Sequence, residues 1–173
     1  MKAAIITIGD ELTQGFTLDS NGSWLSKYLT DNNIEVKSRF CIPDNRKAIF
    51  DTLNQLDNSY NLSYIIITGG LGPTHDDITK NVLSDYFKLP LILEENYLIE
   101  IKEKFKKNNL QLPSDINSQA LILNKSIPIK NKFGTALGLI IKKNELKVIV
   151  LPGVPSEMKQ MIKGCNIFKN KYK

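Results

Sequence analysis

Tyr64-Ile65-Ile66-Ile67-Thr68-Gly69-Gly70-Leu71-Gly72-Pro73-Thr74-His75-Asp76-Asp77-Ile78-Thr79 is the stretch on which the reading of the fold turns. Its apolar, β-branched opening from Tyr64 to Ile67 predicts a strand buried on both faces. Thr68 ends the run, and Gly69, Gly70 and Gly72 follow at once. Glycine permits positive φ and lets a ligand come close to bare backbone. Pro73 stiffens the exit, and from Asp76 onward Ile78, Val82, Leu83, Tyr86 and Phe87 recur at helical spacing. A Gly-rich loop between a buried strand and a helix start offers an anion both free N–H groups and the positive end of the helix. Asp76 and Asp77 stand at that same end, where carboxylates repel a phosphate unless a cation lies between. Mg²⁺ held by one or two carboxylates and substrate phosphates is the usual arrangement. The competing reading makes one of them the helix N-cap. The expectation is one cap and one residue facing the ligand.

Upstream, residues 3–8 form a first buried strand ending in Gly9-Asp10-Glu11-Leu12. Acids at a strand's carboxyl end sit where open α/β sheets bind ligands. Asp19-Ser20-Asn21 introduces a helix over about 21–32 whose stripe of Trp24, Leu25, Tyr28 and Leu29 places Trp24 in the core. Asp19 or Ser20 as a cap competes with a ligand role for Asp19. A second strand is expected over 34–42, then a helix capped by Asp44 and carrying Ile49, Leu53 and Leu56.

Downstream, 89–93 reads as a short edge strand, 94–108 as a long helix, and Asp115 as the cap of a short helix through Ala120. Leu139–Ile141 and Lys147–Leu151 form a hairpin around Lys143-Asn144-Glu145. Pro152-Gly153-Val154-Pro155 then leads to a helix capped by Ser156, with Glu157 in its first turn. Strands alternating with helices give a three-layer α/β fold with a mostly parallel central sheet and a C-terminal hairpin. Strands 3–8, 64–68 and 147–151 should be central and parallel. The loops 9–21, 69–79, 131–138 and 152–157 should then meet at one edge, and the hairpin should offer an edge for self-association.

A chain of 173 residues with 42% hydrophobic and 24% charged content suits one globular domain. The domain is assigned to 1–165, with 166–173 as a basic tail. No stretch approaches a membrane span, and Met1-Lys2-Ala3 leads directly into a strand, so neither anchor nor signal peptide is expected. Cys41, in a strand-like run, and Cys165 form no metal-ligand pattern, which points to a reducing, cytoplasmic setting. The net charge of +5 raises nucleic acid as a partner. Its densest cluster, Lys102, Lys104, Lys106 and Lys107, lies opposite the apolar positions of one helix and reads as a solvated face instead.

No Gly-Lys-Ser/Thr is present, which excludes a P-loop, and no Gly-x-Gly-x-x-Gly opens a helix after the first strand. His75, the only histidine, has no serine or cysteine partner for a triad and reads as a solvated loop residue.

Together the motifs resemble the N-terminal domain of CinA-type (competence/damage-inducible) proteins. They are Gly9-Asp10-Glu11-Leu12, Asp19-x-Asn21, Thr68-Gly69-Gly70-Leu71-Gly72-Pro73-Thr74 with Asp76-Asp77-x-Thr79, Asn131 with Gly134-Thr135-Ala136, and Leu151-Pro152-Gly153-Val154-Pro155-Ser156-Glu157-Met158. The resemblance covers nearly the whole chain and places it among the molybdopterin-binding domains of MoaB, MogA, MoeA and gephyrin. It implies a MoaB/Mog-like fold with the site at the strand ends. In the CinA branch it implies metal-dependent hydrolysis of ADP-ribose-type pyrophosphates; in the Mog branch, molybdopterin binding and adenylyl transfer. Many CinA proteins also carry a C-terminal domain that deamidates nicotinamide mononucleotide; that domain is expected to be absent here and could be encoded separately. Leu137 stands where the family has proline in Gly-Thr-Ala-Pro-Gly, and Leu123 and Lys125 replace a Pro and a Gly of the preceding turn. The loop near Thr135 is therefore expected to be looser.

The leading expectation is a metal-dependent pyrophosphatase of the ADP-ribose type. In it the Gly70–Thr74 amides hold a phosphate, and Asp76 or Asp77, with Asp10, Glu11 or Asp19, holds a divalent ion such as Mg²⁺ that activates the attacking water. Asn131 and the Thr135 loop position the base or sugar. The alternatives are a pterin-binding adenylyl-transfer protein of molybdenum cofactor biosynthesis and a non-catalytic CinA-like binding module. The expected ligand is a small nucleotide or phosphorylated pterin, bound by a homo-oligomer.

Overall fold

Three short apolar runs make the middle of the sheet. The computed structural model describes residues 1–59, 61–73, 77–113, 115–165 and 167–168. Its elements follow in the order β1 (Lys2–Ile8), α1 (Asp10–Thr13), α2 (Ser20–Asp31), β2 (Glu35–Ile42), α3 (Arg46–Ser59), β3 (Tyr64–Thr68), α4 (Thr79–Phe87), β4 (Leu91–Leu93), α5 (Glu95–Lys107), α6 (Ile116–Gln119), β5 (Leu121–Leu123), β6 (Ile127–Ile129), β7 (Gly138–Lys143), β8 (Leu146–Leu151) and α7 (Pro155–Gly164).

The main sheet runs β2-β1-β3-β8-β7-β6. β1, β3 and β8 are adjacent and parallel, as their apolar runs predict, while β7 runs antiparallel to β8 and β6 antiparallel to β7. Thr7 pairs with Thr68, and Thr68 with Leu151, so the three loops that follow leave the sheet at one level. Both faces of these strands are covered. Ala4, Ile6, Ile65, Ile67, Val148 and Val150 pack with Ile49, Leu53 and Leu56 of α3 and Val82 and Leu83 of α4. Ala3, Ile5, Ile66, Ile149 and Leu151 pack with Leu25 and Leu29 of α2 and Met158, Met161 and Ile162 of α7. Each fully buried Ile contributes about 1.5–3 kcal/mol, which is why continuous rather than alternating runs mark these strands. A third cluster joins α5, α6 and β5 through Tyr97, Leu98, Ile101, Ile116, Ala120 and Ile122, and takes in Leu137.

Several local expectations are corrected. β7 is flanked by β6, so the hairpin offers no free edge; the main sheet ends at β2 and β6. β5, pairing with β4 in a separate two-stranded sheet, was not foreseen. Asn45, not Asp44, caps α3, its Oδ1 accepting from Ala48 N at 2.9 Å. Val154 is the N-cap of α7 with Pro155 at its start, so Ser156 lies inside the helix. Asp115 precedes α6 without a side-chain cap bond. Cys41 is exposed rather than packed as an apolar side chain, because β2 is an edge strand. Trp24 lies at the margin of its core, stacked on Tyr28 at 4.9 Å between centroids. Among the described residues no helix is long and apolar enough to cross a membrane.

Candidate functional site

The Gly-rich wall is shaped by backbone. Gly69 has φ +116, and a Cβ there would collide with the carbonyl oxygen of Ile8. Only glycine allows both that conformation and that approach. The loop is then closed from its far end: Thr79 Oγ1 donates to Gly69 O at 3.1 Å, Thr79 N to Gly70 O at 3.2 Å, and Gly72 N to Asp77 Oδ1 at 2.6 Å. α4 starts at Thr79 with Ile78 as an N-cap that makes no side-chain bond, so Asp77 ties the loop rather than capping the helix. Beside it, Asn21 Nδ2 donates to Gly153 O at 2.7 Å and to Thr68 Oγ1 at 3.2 Å, while Thr68 Oγ1 donates to Pro152 O at 2.7 Å. These two side chains staple the 152–153 turn to the end of β3.

The opposite wall is shaped by one side chain. Asn131 Oδ1 accepts from Phe133 N at 3.1 Å and Gly134 N at 2.8 Å. Its Nδ2 donates to Glu157 Oε2 at 2.6 Å and to Ala136 O at 3.3 Å. Gly134 lies so close to the Glu157 carboxylate that a Cβ would overlap it. Gln119, 2% exposed, ties both walls: its Nε2 donates to Leu71 O at 3.3 Å and its Oε1 accepts from Thr135 Oγ1 at 3.1 Å. Leu137 is fully buried and its N–H, which a proline would lack, donates to Gln119 O at 2.9 Å. The departure from proline thus adds a bond, contrary to the looser loop expected. Lys104 turns in from the lysine-rich face of α5 to donate to Lys132 O and Gly134 O.

Between the walls lies a cleft of about 570 Å³ at the carboxyl edge of β1, β3 and β8. That volume suits a small-molecule ligand. Glu11, Gly69, Gly70, Leu71, Gly72, Pro73, Asp77, Gly134, Thr135, Ala136, Pro152, Gly153, Val154 and Glu157 line it. Asp19, Asn21, Thr68 and Pro155 instead border an adjoining pocket of about 250 Å³. Thr79 and Asn131 are buried and hold the walls from behind. Thr74, His75 and Asp76 lie outside the described residues, as do residue 166 and the tail from 169. Sequence reasoning missed Asp44, Lys104, Phe105, Asn108, Leu110, Gln119 and Phe133. Phe133 alone carried a signal, an aromatic residue inside the Asn131–Gly134 turn.

The acids serve separate loops. Asp19 Oδ1 caps α2 through Gly22 N at 2.8 Å, and its Oδ2 meets Arg39 and Thr7 Oγ1 at 3.1 Å. Asp10 Oδ1 accepts from Asp44 N at 3.0 Å. Behind the Gly-rich loop, Lys80 of α4 is buried, with Nζ 3.4 Å from Ser118 O, and burial lowers its pKa to about 7.

The family described as "Probable molybdopterin binding domain" matches residues 4–167. A CinA-like protein of Flavobacterium psychrophilum is 41% identical over 95% of this chain and 39% of that protein. The chain spans about two fifths of the length of the curated relatives it matches. The solved structure of CinA from Thermoplasma acidophilum, a protein of unknown function, has a TM-score of 0.84 at 31% identity, covering 95% of each chain. MoaB of Pyrococcus furiosus, a tungsten cofactor synthesizing protein, shares the fold at TM-score 0.62 and 21% identity, over 96% of this chain and 92% of that one.

These findings overturn the expected metal-dependent pyrophosphatase. Among the described residues no group of three or more His, Cys, Asp or Glu side chains is placed to hold a metal ion. Asp10 Oδ1 accepts from Asp44 N and Asp77 Oδ1 from Gly72 N, so each carboxylate already serves a backbone N–H. The divalent cofactor expected on Asp76, Asp77 and Asp10 is withdrawn, and the hydrolase reading with it, since the matched family model describes a molybdopterin-binding domain instead; Glu11 and Asp77 are placed in the lining of the cleft. With that family's match running through nearly the whole sequence and a CinA structure alike from end to end, the chain belongs to the molybdopterin-binding domain family, on its CinA-like branch.

Proposed function

We propose that this domain binds a phosphorylated ring compound, a nucleotide or a phosphorylated pterin, in the cleft between the Gly-rich wall and the Asn131 wall. The observation that carries the reading is the cleft itself. It lies where the loops after β1, β3 and β8 leave the sheet at one level, which is where open α/β sheets take ligands. The phosphate belongs at the Gly69–Pro73 end, where glycines let it approach the backbone and where Asp77, the carboxylate of that loop, already accepts from Gly72 N, which offsets part of its repulsion. The ring belongs toward Gly134, Thr135, Ala136 and Glu157, with Pro152, Gly153 and Val154 as the floor. Support comes from the matched family's description as a molybdopterin-binding domain. Self-association is part of the same proposal, supported by Phe16 and Leu18, 80% and 88% exposed on the loop beside the cleft.

Gly153 supplies the test. It lines the cleft, and a Cβ there would meet only Gly69 Cα, at 3.5 Å. Gly153→Phe therefore fills the cleft while leaving the fold in place. Calorimetric titration with nucleoside monophosphates and a pterin monophosphate should show saturable binding to the natural chain and none to Gly153→Phe. Equal binding by both proteins would put the ligand elsewhere.

A further inference from the structure

The two ends of the cleft differ in what they accept. At the Asn131 end, Glu157 is half-buried, and its Oε2 accepts one hydrogen bond from Asn131 Nδ2. The direction of that amide is forced, because Asn131 Oδ1 already accepts from Phe133 N and Gly134 N. Among the described residues no donor reaches Oε1, and no lysine or arginine pairs with Glu157. Lys104, which lines the same cleft, is held by the carbonyls of Lys132 and Gly134. A carboxylate placed this way repels a phosphate and favours N–H donors. Covering it with a ligand that brings no donor leaves it unsatisfied.

Beside it stands an aromatic face. Phe133 is 67% exposed, lines the cleft, and has its backbone fixed by Asn131. An exposed ring on an ordered turn is a stacking surface for a planar ligand.

We propose that Phe133 and Glu157 read the ligand's ring: the ring lies on Phe133 and turns two adjacent N–H donors toward Glu157. That donor pair is the amino and imino edge shared by pterins and guanine. Adenine presents an acceptor nitrogen beside its amino group and would set a lone pair against the carboxylate. The inference rests on the cleft being the site of a phosphorylated ring compound, and it adds which rings the cleft selects and which residues select them.

Titration calorimetry with GMP, AMP and 6-hydroxymethylpterin monophosphate on the natural chain, Glu157→Gln and Phe133→Ala tests it. The natural chain should prefer GMP, the pterin phosphate or both over AMP by about ten- to a hundredfold. Which of the two binds more tightly identifies the source of the ring. Glu157→Gln can still accept from Asn131 through its amide oxygen but turns an NH₂ toward the ring, so it should abolish or reverse the preference. Phe133→Ala should weaken all bound ligands alike, by about tenfold. Melting curves within a few degrees of the natural chain show that each variant is folded. Equal affinity of the natural chain for GMP and AMP overturns the inference. So does Glu157→Gln weakening both by one factor, which would place the ribose at Glu157; either result leaves the binding function standing. No binding of any of the three would overturn the function itself.

Discussion

The two walls of the cleft reach the same sheet edge by different means. Across Gly69–Pro73 the shape follows from backbone: a positive φ, a contact with Ile8 O that excludes any Cβ, and main-chain atoms tied by Asp77 and Thr79. From Asn131 to Leu137 it follows from the Asn131 side chain, which holds two amides, one carbonyl and one carboxylate. A wall set by backbone tolerates almost no side chain at its tightest point, and its ties are divided between Asp77 and Thr79. A wall set by a side chain can vary around its hub, as Leu137 does, and fails if the hub goes.

The comparison breaks most readily at Gly69. Gly69→Ala should lose about 3 kcal/mol or more in denaturant unfolding, from the strained φ and the overlap with Ile8 O together. A loss under about 1 kcal/mol would mean that the backbone wall yields. Asn131→Ala comes next, at about 2–3 kcal/mol, because it strands buried partners. Its ligand affinity should fall as well, whereas a stable, binding-competent variant would show that the second wall stands without its hub.

Lys80, under the Gly-rich wall, gives a pH signature. Its folded pKa of about 7 lies below the ordinary 10.5, so between those values the unfolded chain holds more protons. Stability should therefore rise as pH rises through that window, by at most roughly 1 kcal/mol from pH 7 to 8, with the penalty fully present below about 7. Lys80→Met should flatten this slope in parallel unfolding series. The smallest effect is at Lys125, which holds φ +65 in the turn before β6. Lys125→Gly should raise stability by about 0.5–1 kcal/mol, seen as a modest gain in Tm.

What could be read from the sequence were features that one segment decides alone. Tyr64–Ile67 and Val148–Leu151 announce central strands because burial on both faces leaves no polar position. The glycines announce a loop against another backbone. Direction could not be read. Asp10 and Asp77 follow strands that end at one sheet edge and so look placed to share an ion, yet Asp10 turns to Asp44 N and Asp77 back to Gly72 N, a choice made by tertiary geometry. The Gln119 bridge joins α6 to two loops 48 and 16 residues away, and no local pattern marks it. The hairpin edge was misplaced because nothing in Ile127–Ile129 says that three residues will cover β7.

The hydrogen-bond ladder does not stop where the strands do. Gly9 N donates to Ile42 O and Gly69 N to Leu151 O, both at 3.1 Å, carrying the sheet one residue into each loop. In deuterated solvent these amides belong with the central strands and should exchange only when the whole domain opens. Gly72 N, held by a carboxylate, is released by any movement of Asp77 alone. The rigid and the yielding parts of the Gly-rich wall therefore meet within three residues of chain, and a ligand entering there would be gripped from one side while the other gives way.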